Sequence, residues 1–242
     1  MSIRILGING SPRKVNNSSI MLERALNGAR QVEDVETQIY NFSGKVFGGC
    51  KASCTAYCMK NGKCSINDDL NDLFEKYMEA DGIIWSVPVY HVGPPAQVKA
   101  ALDRIGNVTF SYLKGKSPRF NKPSAALVQG STRWGGQELT IQFFVESFLL
   151  MNCIPVTGDM PKSYFGVAGY APTWENDSIL EDTEALNVAE NTGLRVAEMT
   201  KIVRTGINQL VNELPDIYFP KHIFEERKKK DTEISMNWQK ED

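Results

Sequence analysis

The chain has 242 residues, of which 42% are hydrophobic and 23% are charged, and its formal net charge is −2 at pH 7. This composition is typical of a globular protein large enough to bury a substantial core, as one large α/β domain or two small ones. The charge argues against a nucleic-acid partner, and no apolar run reaches the roughly 20 residues that a membrane-spanning helix needs. Because the N-terminus has a strand pattern and not that of a signal segment, we expect a cytoplasmic protein without a membrane partner.

The first predicted element is a strand over residues 3–8, a short apolar run typical of a buried parallel strand. A turn containing glycine and proline ends it, and helical spacing follows, with the N-cap predicted at Asn17, Ser18 or Ser19. A helix N-terminus favours a phosphate group, and the Arg13 guanidinium suits phosphate oxygens. The glycine spacing fits neither a Walker loop nor a Rossmann fingerprint. The hypothesis is a phosphate site, and the alternative is an ordinary strand-to-helix turn whose hydroxyls cap the helix.

Further strands and helices alternate along the chain. Strands are predicted over residues 35–42, 82–87, 124–128 and 153–156, and helices from residue 68, over 96–104, over 137–151 and through 196–210. With right-handed crossovers, this alternation predicts a doubly wound α/β fold with a five-stranded parallel sheet in the order 2-1-3-4-5. A ligand of such a sheet lies outside the carboxyl ends of strands one and three. The loops at residues 11–19, 88–95 and 130–136 should therefore meet around one site.

The domain organisation follows from the same pattern. We assign residues 1–214 to one domain, with a cysteine-rich loop insertion at residues 43–67 after the second strand, and residues 215–242 to a C-terminal extension. Positive and negative charges nearly balance in the extension, which favours a solvated segment over a nucleic-acid arm. Its aromatic residues predict packing on the domain or on a neighbouring subunit.

Four of the five cysteines, Cys50, Cys54, Cys58 and Cys64, are spaced x3, x3 and x5. In a cytosolic chain such clustering favours metal or cluster ligation over disulfides. On a helix, positions i, i+4 and i+8 share one face, so three thiolates could converge and Cys64 could close the site. We expect a [4Fe–4S] cluster, which needs four thiolates. Structural zinc, which usually uses two separated cysteine pairs, and free or redox thiols are the alternatives, and Cys153 is expected to be a small buried strand residue.

Three separated stretches carry a resemblance to a known family: Gly10-Ser11-Pro12-Arg13 with Asn17-Ser18, Pro88-Val89-Tyr90 with residues 99–104, and Gly130-Ser131 with Gly135-Gly136. They resemble the flavodoxin-like NADPH-dependent FMN reductases over residues 1–210, and the cysteine segment is similar to that of the iron-sulfur flavoproteins within this family. The resemblance implies an FMN-dependent oxidoreductase that passes electrons between a low-potential donor, ferredoxin or NAD(P)H, and a small-molecule acceptor. It also implies a homodimer or homotetramer.

The resemblance also implies which residues bind FMN. The residues that hold the phosphate are Ser11, Arg13, Asn17 and Ser18, and Ser19 is a further cofactor-binding residue beside them. One side of the isoalloxazine is lined by Pro88, Val89, Tyr90, His91 and Val92, and the other side by Gly130, Ser131, Thr132 and Gly135. Asn16 stands where family members usually have glycine, and asparagine tolerates the left-handed backbone better than most residues.

Two questions stay open at this point. His91 could donate a hydrogen bond to the flavin or act as a catalytic acid, or it could only line its loop. The alternative function is a cluster-free, NAD(P)H-dependent reductase of FMN, quinones or azo compounds with structural cysteines. A third hypothesis is a non-enzymatic flavodoxin-like carrier or a redox-sensing interaction module.

Overall fold

The structure is a computed structural model that describes residues 2–52, 55–111 and 118–218. Its strands are β1 (Ile3–Asn9), β2 (Val35–Asn41), β3 (Gly82–Pro88), β4 (Pro123–Gly130), β5 (Ile154–Pro155) and β6 (Val167–Tyr170). Its helices are α1 (Asn17–Ala29), α2 (Thr55–Asn61), α3 (Leu70–Glu79), α4 (Ala96–Ser111), α5 (Gln137–Leu150), α6 (Thr183–Gln209) and the short 3₁₀ helix η1 (Ser178–Glu181).

The strands form one parallel sheet in the order β2-β1-β3-β4-β5, which confirms the predicted flavodoxin-like order. The prediction of five strands was wrong, because two short strands share the fifth position. β5 pairs with Pro123 and Ser124 at the start of β4, and β6 pairs with residues 127–130 at its end. The chain leaves the sheet between β5 and β6. A four-residue strand that contains a glycine has too little pattern to be recognised in the sequence.

Helices cover both faces of the sheet. α1 and α6 pack on one face, and α3, α4 and α5 pack on the other. β1 and β3 are buried along their whole length, as the continuous apolar runs predict for central parallel strands. Because β1 and β3 are neighbours at the centre of the sheet, their carboxyl ends lie at the middle of one sheet edge, together with the loops that follow them.

Two segments lie outside this framework. α2, within the cysteine-rich segment, lies against α4. The C-terminal extension begins with a contact to the stretch before β4: the Arg119 N–H donates to the Ile217 carbonyl at 2.9 Å, and the Arg119 guanidinium lies 5.3 Å from the centre of the Tyr218 ring. The predicted extension beyond Tyr218 lies outside the described residues.

Across the described parts of the chain, no helix is both long enough and apolar enough to cross a bilayer.

Candidate functional site

A cavity of about 390 Å³ opens at the carboxyl edge of the sheet, between the ends of β1 and β3. Four stretches of chain surround it: the loop after β1, the end of β3 with its loop, the end of β4 with its loop, and the loop after β6. The lining residues are Ser11, Arg13, Asn16, Asn17, Pro88, Val89, Tyr90, His91, Gln129, Gly130, Ser131, Ala171, Thr173 and Trp174. The structure thus brings together the three loops that the sequence analysis assigned to one site.

The N-cap of α1 is Asn16, not Asn17, Ser18 or Ser19 as predicted. Its backbone is extended, with φ −168°, and its side-chain oxygen accepts from the Ser19 N–H at 2.8 Å. The Ser19 hydroxyl donates to the Asn16 carbonyl at 2.6 Å. Since four successive residues are all good capping residues, only the backbone geometry selects among them. Asn16 therefore caps the helix and does not use the left-handed conformation expected of a glycine replacement.

Arg13 and Asn17 connect the first loop to the segment that follows β6. Arg13 Nη1 donates to the Trp174 carbonyl at 3.3 Å, and its guanidinium lies 5.9 Å from the centre of the Trp174 ring. Asn17 Nδ2 donates to the Glu175 carbonyl at 3.1 Å, and Asn17 Oδ1 accepts from the Ile179 N–H at 3.0 Å. The Asn17 side chain is thus used to fix the far wall of the cavity.

Ser18 is fully buried in the first turn of α1. Its carbonyl accepts from the Ser86 hydroxyl at 2.7 Å, whereas its own Oγ has no hydrogen-bond partner among the described residues. A buried hydroxyl without a partner is costly. Ser18, predicted as a binding residue, therefore carries an unpartnered buried hydroxyl but does not line the cavity.

A tight turn from Tyr90 to Gly93 forms the wall after β3. Tyr90 and Gly93 exchange both backbone hydrogen bonds, at 2.8 and 3.1 Å, and the two central residues, His91 and Val92, have φ values of 48° and 67°. A positive φ at a β-branched residue such as Val92 is strained, and such strain clusters at functional sites. His91 is exposed and lines the cavity, whereas Val92 does not line it.

Gly136 holds this turn in place from the neighbouring loop. Gly136 has φ 102°, and a Cβ there would lie 2.8 Å from Val92 Cα. Only glycine suits both the backbone conformation and this close approach. The loops after β3 and β4 therefore pack against each other directly, at a glycine that was included in the motif but not among the predicted binding residues.

Gln137 organises the loop after β4, a role that the sequence analysis missed. Its side chain is buried, accepts from the Gly135 N–H at 3.0 Å and donates to the Thr132 carbonyl. Gly130 leaves room for it, because a Cβ at Gly130 would lie 2.8 Å from Gln137 Nε2. Gly130 and Ser131 line the cavity, whereas Thr132 and Gly135 lie outside its lining. Gln137 starts a helix, so the sequence offers no sign that its amide serves the loop.

The lining residues that the sequence analysis missed are Asn16, Gln129, Ala171, Thr173 and Trp174. Trp174 is 84% exposed. A tryptophan among polar loop residues is the signal that could have identified this stretch, since ligand pockets are lined mainly by apolar and aromatic side chains.

The cysteine-rich segment lies along α4, on the face of the sheet that α3, α4 and α5 cover. Cys50 Sγ accepts from Asn107 Nδ2 at 3.7 Å, and Cys64 Sγ accepts from Arg104 Nε and Nη2 at 3.2 and 3.1 Å. Arg104 and Asn107 are one turn apart on α4 and share a face. Cys58, which is buried, lies in α2. The structure therefore brings the segment that contains these cysteines against a single helix.

The prediction that Cys50 shares a helix face with the next two cysteines was wrong, because α2 begins only at Thr55 and Cys50 precedes it in an irregular stretch. Cys54 lies outside the described residues. Within the described ranges, no three His, Cys, Asp or Glu side chains come close enough together to hold a metal ion. The expected four-thiolate site stays a prediction.

Asp68 forms a buried ion pair with Arg104, whose Nη1 and Nη2 lie 2.5 and 2.8 Å from its carboxylate oxygens. Burial alone would lower the pKa of Arg104, but hydrogen bonds with Asp68 and Cys64 raise it above its ordinary value. Burial alone would raise the pKa of Asp68, but hydrogen bonds from Arg104 and from the amides of Gly48 and Leu70 hold it below its ordinary value. Both groups are therefore charged at neutral pH.

Cys153 is separate from this segment. It is buried next to β5, its Sγ lies 3.5 Å from Tyr77 Oη, and burial raises the pKa of its thiol. A protonated, buried thiol behaves as a small apolar residue.

A second cavity, of about 630 Å³, lies between α4 and α5. Cys50 and Asn107 form part of its wall, together with apolar side chains such as Leu102, Phe143 and Met151. It does not share lining residues with the cavity at the sheet edge. Cys50 is thus accessible from the surface on the α4 side.

Comparison with known proteins gives consistent matches. The family model of the NADPH-dependent FMN reductases matches residues 3–161. The chain is 34% identical over 205 residues to an iron-sulfur flavoprotein of Methanocaldococcus jannaschii, which covers 84% of this chain and 100% of that protein. It is also 34% identical over 201 residues to an iron-sulfur flavoprotein of Archaeoglobus fulgidus, with 81% of this chain and 96% of that protein covered.

Among solved structures, the chain is similar to a flavone reductase with a TM-score of 0.60 and 20% sequence identity. The match covers 84% of this chain and 64% of the length of that reductase. At this identity the likeness shows the shared flavodoxin-like fold.

Proposed function

The chain belongs to the NADPH-dependent FMN reductase family, and to the iron-sulfur flavoproteins within it, so it is a flavin-dependent oxidoreductase. We propose that FMN binds in the sheet-edge cavity and exchanges electrons with a [4Fe–4S] cluster. The proposed ligands of the cluster are Cys50, Cys54, Cys58 and Cys64. The observation that carries the proposal is the meeting of the loops after β1, β3 and β4 around one cavity at the topological switch point.

The phosphate of FMN would lie at the start of α1. Arg13 lines the cavity there with a planar set of donors, and the first turn of the helix offers the positive end of its dipole. Ser18 lies in the same turn with an unpartnered Oγ, but it is fully buried and does not line the cavity. Ser11, buried and lining the cavity, is a second hydroxyl at the same place.

The isoalloxazine ring would lie between the turn after β3 and the loop after β4. Bound FMN supplies one- and two-electron redox chemistry. Tyr90 and His91 contribute side chains on one side of the ring. On the other side Gly130 allows close approach of the backbone, and Ser131 also lines the cavity. The strained turn at His91 and Val92 fixes the wall against which the ring packs. We propose His91 as the residue positioned to donate a hydrogen bond or a proton there.

The chemistry of the donor set supports an iron-sulfur cluster in the cysteine segment. A ligating thiolate carries negative charge, which hydrogen-bond donors stabilise. The sulfur of Cys50 accepts a hydrogen bond from Asn107, and the sulfur of Cys64 accepts two from Arg104. Such hydrogen bonds are the usual surroundings of cluster sulfurs.

For partners, we propose a low-potential one-electron donor such as ferredoxin, with NAD(P)H as the alternative, and a small-molecule acceptor. The sequence has no second nucleotide motif that marks a dedicated NAD(P)H site. We further propose that the protein acts as a homodimer or homotetramer.

The proposal is tested by purifying the full chain without oxygen and measuring FMN, iron and acid-labile sulfide. We expect one FMN and about four iron and four sulfide per chain. FMN without iron, together with rapid reduction by NAD(P)H, would identify the cluster-free reductase instead. FMN that no donor reduces at a useful rate would favour the non-enzymatic carrier.

A further inference from the structure

The Arg104 side chain is 1% exposed and extends from α4 to contact the cysteine-rich segment at Cys64 and Gly48. Two of its donors, Nε and Nη2, converge on the sulfur of Cys64 at 3.2 and 3.1 Å. Its other edge holds both carboxylate oxygens of Asp68, and Nη1 also donates to the Gly48 carbonyl at 3.0 Å. The rigid fork of donors is therefore aimed at one sulfur and one carboxylate.

Asp68 prevents this guanidinium from turning away from the sulfur. Its Oδ2 accepts from the Gly48 N–H at 2.9 Å and its Oδ1 accepts from the Leu70 N–H at 3.2 Å, so the carboxylate is fixed by the backbone. The ion pair already neutralises the buried charge of Arg104. Arg104 therefore does not need its two hydrogen bonds to Cys64 in order to be buried as a charged group.

A neutral thiol is a weak hydrogen-bond acceptor, whereas hydrogen bonds to an ionised acceptor are short and strong. Two donors of one cation that converge on a single sulfur therefore suit a thiolate. Asn107, one turn along α4, adds a neutral and longer contact of 3.7 Å to the sulfur of Cys50.

This inference rests on the proposed function: we infer that Arg104, clamped by Asp68, is a positioning residue that fixes Cys64 as a cluster ligand and raises the reduction potential of the cluster. Reduction adds one electron, taken from the low-potential donor, to a group that is already negatively charged. Hydrogen bonds to its sulfurs favour the reduced form. No bond forms or breaks at Arg104, and the residue exchanges no proton.

The test uses full-length protein purified without oxygen, in the variants Arg104→Gln and Arg104→Lys. Arg24→Gln is the matched control, because Arg24 is an arginine that pairs with Glu190 on the opposite, α1–α6 face of the sheet. The cluster is titrated with dithionite and its reduced signal is followed by electron paramagnetic resonance. FMN, iron and thermal unfolding are measured on the same samples.

We expect Arg104→Gln to shift the equilibrium toward the oxidised cluster at least tenfold, which is about 59 mV for a one-electron couple. Arg104→Lys should shift it less, because lysine keeps the charge and loses the fork. Arg24→Gln should match the wild type. A variant that folds and binds FMN but loses iron would also support the inference, since it would show that Cys64 needs Arg104 to act as a ligand.

Two results would overturn the inference. One is a cluster in both Arg104 variants with the potential of the Arg24→Gln control. The other is loss of FMN and of cooperative unfolding in both variants, which would make Arg104 a structural residue only. A wild-type protein without iron would contradict the proposed function itself, and that result is obtained before any variant is compared.

Discussion

Arg13 lies at the point where the loop after β1 meets the loop after β6. Its partners in that position, the carbonyl and the ring of Trp174, are neutral groups near an exposed side chain. An anion can therefore displace them at little cost. The prediction that Arg13 binds a phosphate rests on residue chemistry, because a guanidinium beside the start of a helix favours phosphate oxygens.

We predict that Arg13→Ala weakens FMN far more than riboflavin. Loss of a charge-assisted hydrogen bond costs roughly 1.5–3 kcal/mol, or about tenfold to a hundredfold in affinity, and riboflavin has no phosphate to lose it. Affinities of the apoprotein for both flavins, measured by flavin fluorescence, test this. Lys14→Ala is the control, because Lys14 is exposed and does not line the cavity. Equal losses for the two flavins would move Arg13 away from the phosphate.

Cys58→Ala gives the corresponding test for the cluster. We expect the variant to lose the iron and the broad visible absorbance of the cluster while it keeps FMN, since the two proposed sites lie on different parts of the sheet. Cys153→Ala is the matched control, because Cys153 is buried against Tyr77 and should leave the iron content unchanged. Iron and flavin analysis of both variants decides the point. An iron content in Cys58→Ala equal to that of the wild type would refute its assignment as a ligand.

Single residues also show where the sequence was insufficient. Asn16, Asn17, Ser18 and Ser19 are equivalent as N-caps by residue type, and only the extended backbone of Asn16 selects it. Arg104 could not be connected with Cys64 from the sequence, because the two residues are 40 positions apart and meet only when α4 has packed.

At the scale of secondary-structure elements, α1 and α6 approach each other unusually closely. Gly28 and Gly193 lie at their crossing: a Cβ at Gly28 would lie 1.9 Å from the Glu190 carbonyl oxygen, and one at Gly193 would lie 1.7 Å from the Ala25 carbonyl oxygen. The backbones touch, so neither glycine can be replaced without moving a helix. This crossing supports α1, whose first turn forms the start of the cavity.

We predict that Gly193→Ala destabilises the protein by about 1–3 kcal/mol or more, because the added methyl group overlaps the backbone of α1. Gly206→Ala is the matched control in the same helix, since nothing lies within 4 Å of a Cβ there. It should stabilise the protein by up to about 1 kcal/mol through helix propensity. Urea unfolding of both variants measures this difference. If the two substitutions had the same sign, the helices could not be in contact at Gly193.

The periodic patterns predicted these elements well where they are long and buried, as in β1, β3 and α5. They did not predict β6, a strand of four residues that pairs with the end of β4, whereas β5 pairs only with its start. They also gave no indication that the turn from Tyr90 to Gly93 carries two residues with positive φ, because histidine and valine seldom adopt that conformation.

In the whole molecule, the doubly wound sheet explains why the cavity at the sheet edge could be predicted and why the path of the cysteine-rich segment could not. Strand order determines which loops meet at the switch point, and residues 11, 88–91 and 130–131 of those loops line the cavity. The cysteine segment is an insertion whose path no sheet rule determines. Only its contacts with α4 show which side of the molecule it occupies.

The central claim is that one chain holds both a flavin and a cluster and passes electrons between them. An anaerobic titration with dithionite, followed by visible absorbance and electron paramagnetic resonance, tests it most directly. We expect each chain to take up the electron pair of FMN and one further electron, and the Cys58→Ala variant to take up the pair alone. Uptake of only the electron pair by the wild-type protein, with no paramagnetic cluster signal, would contradict it.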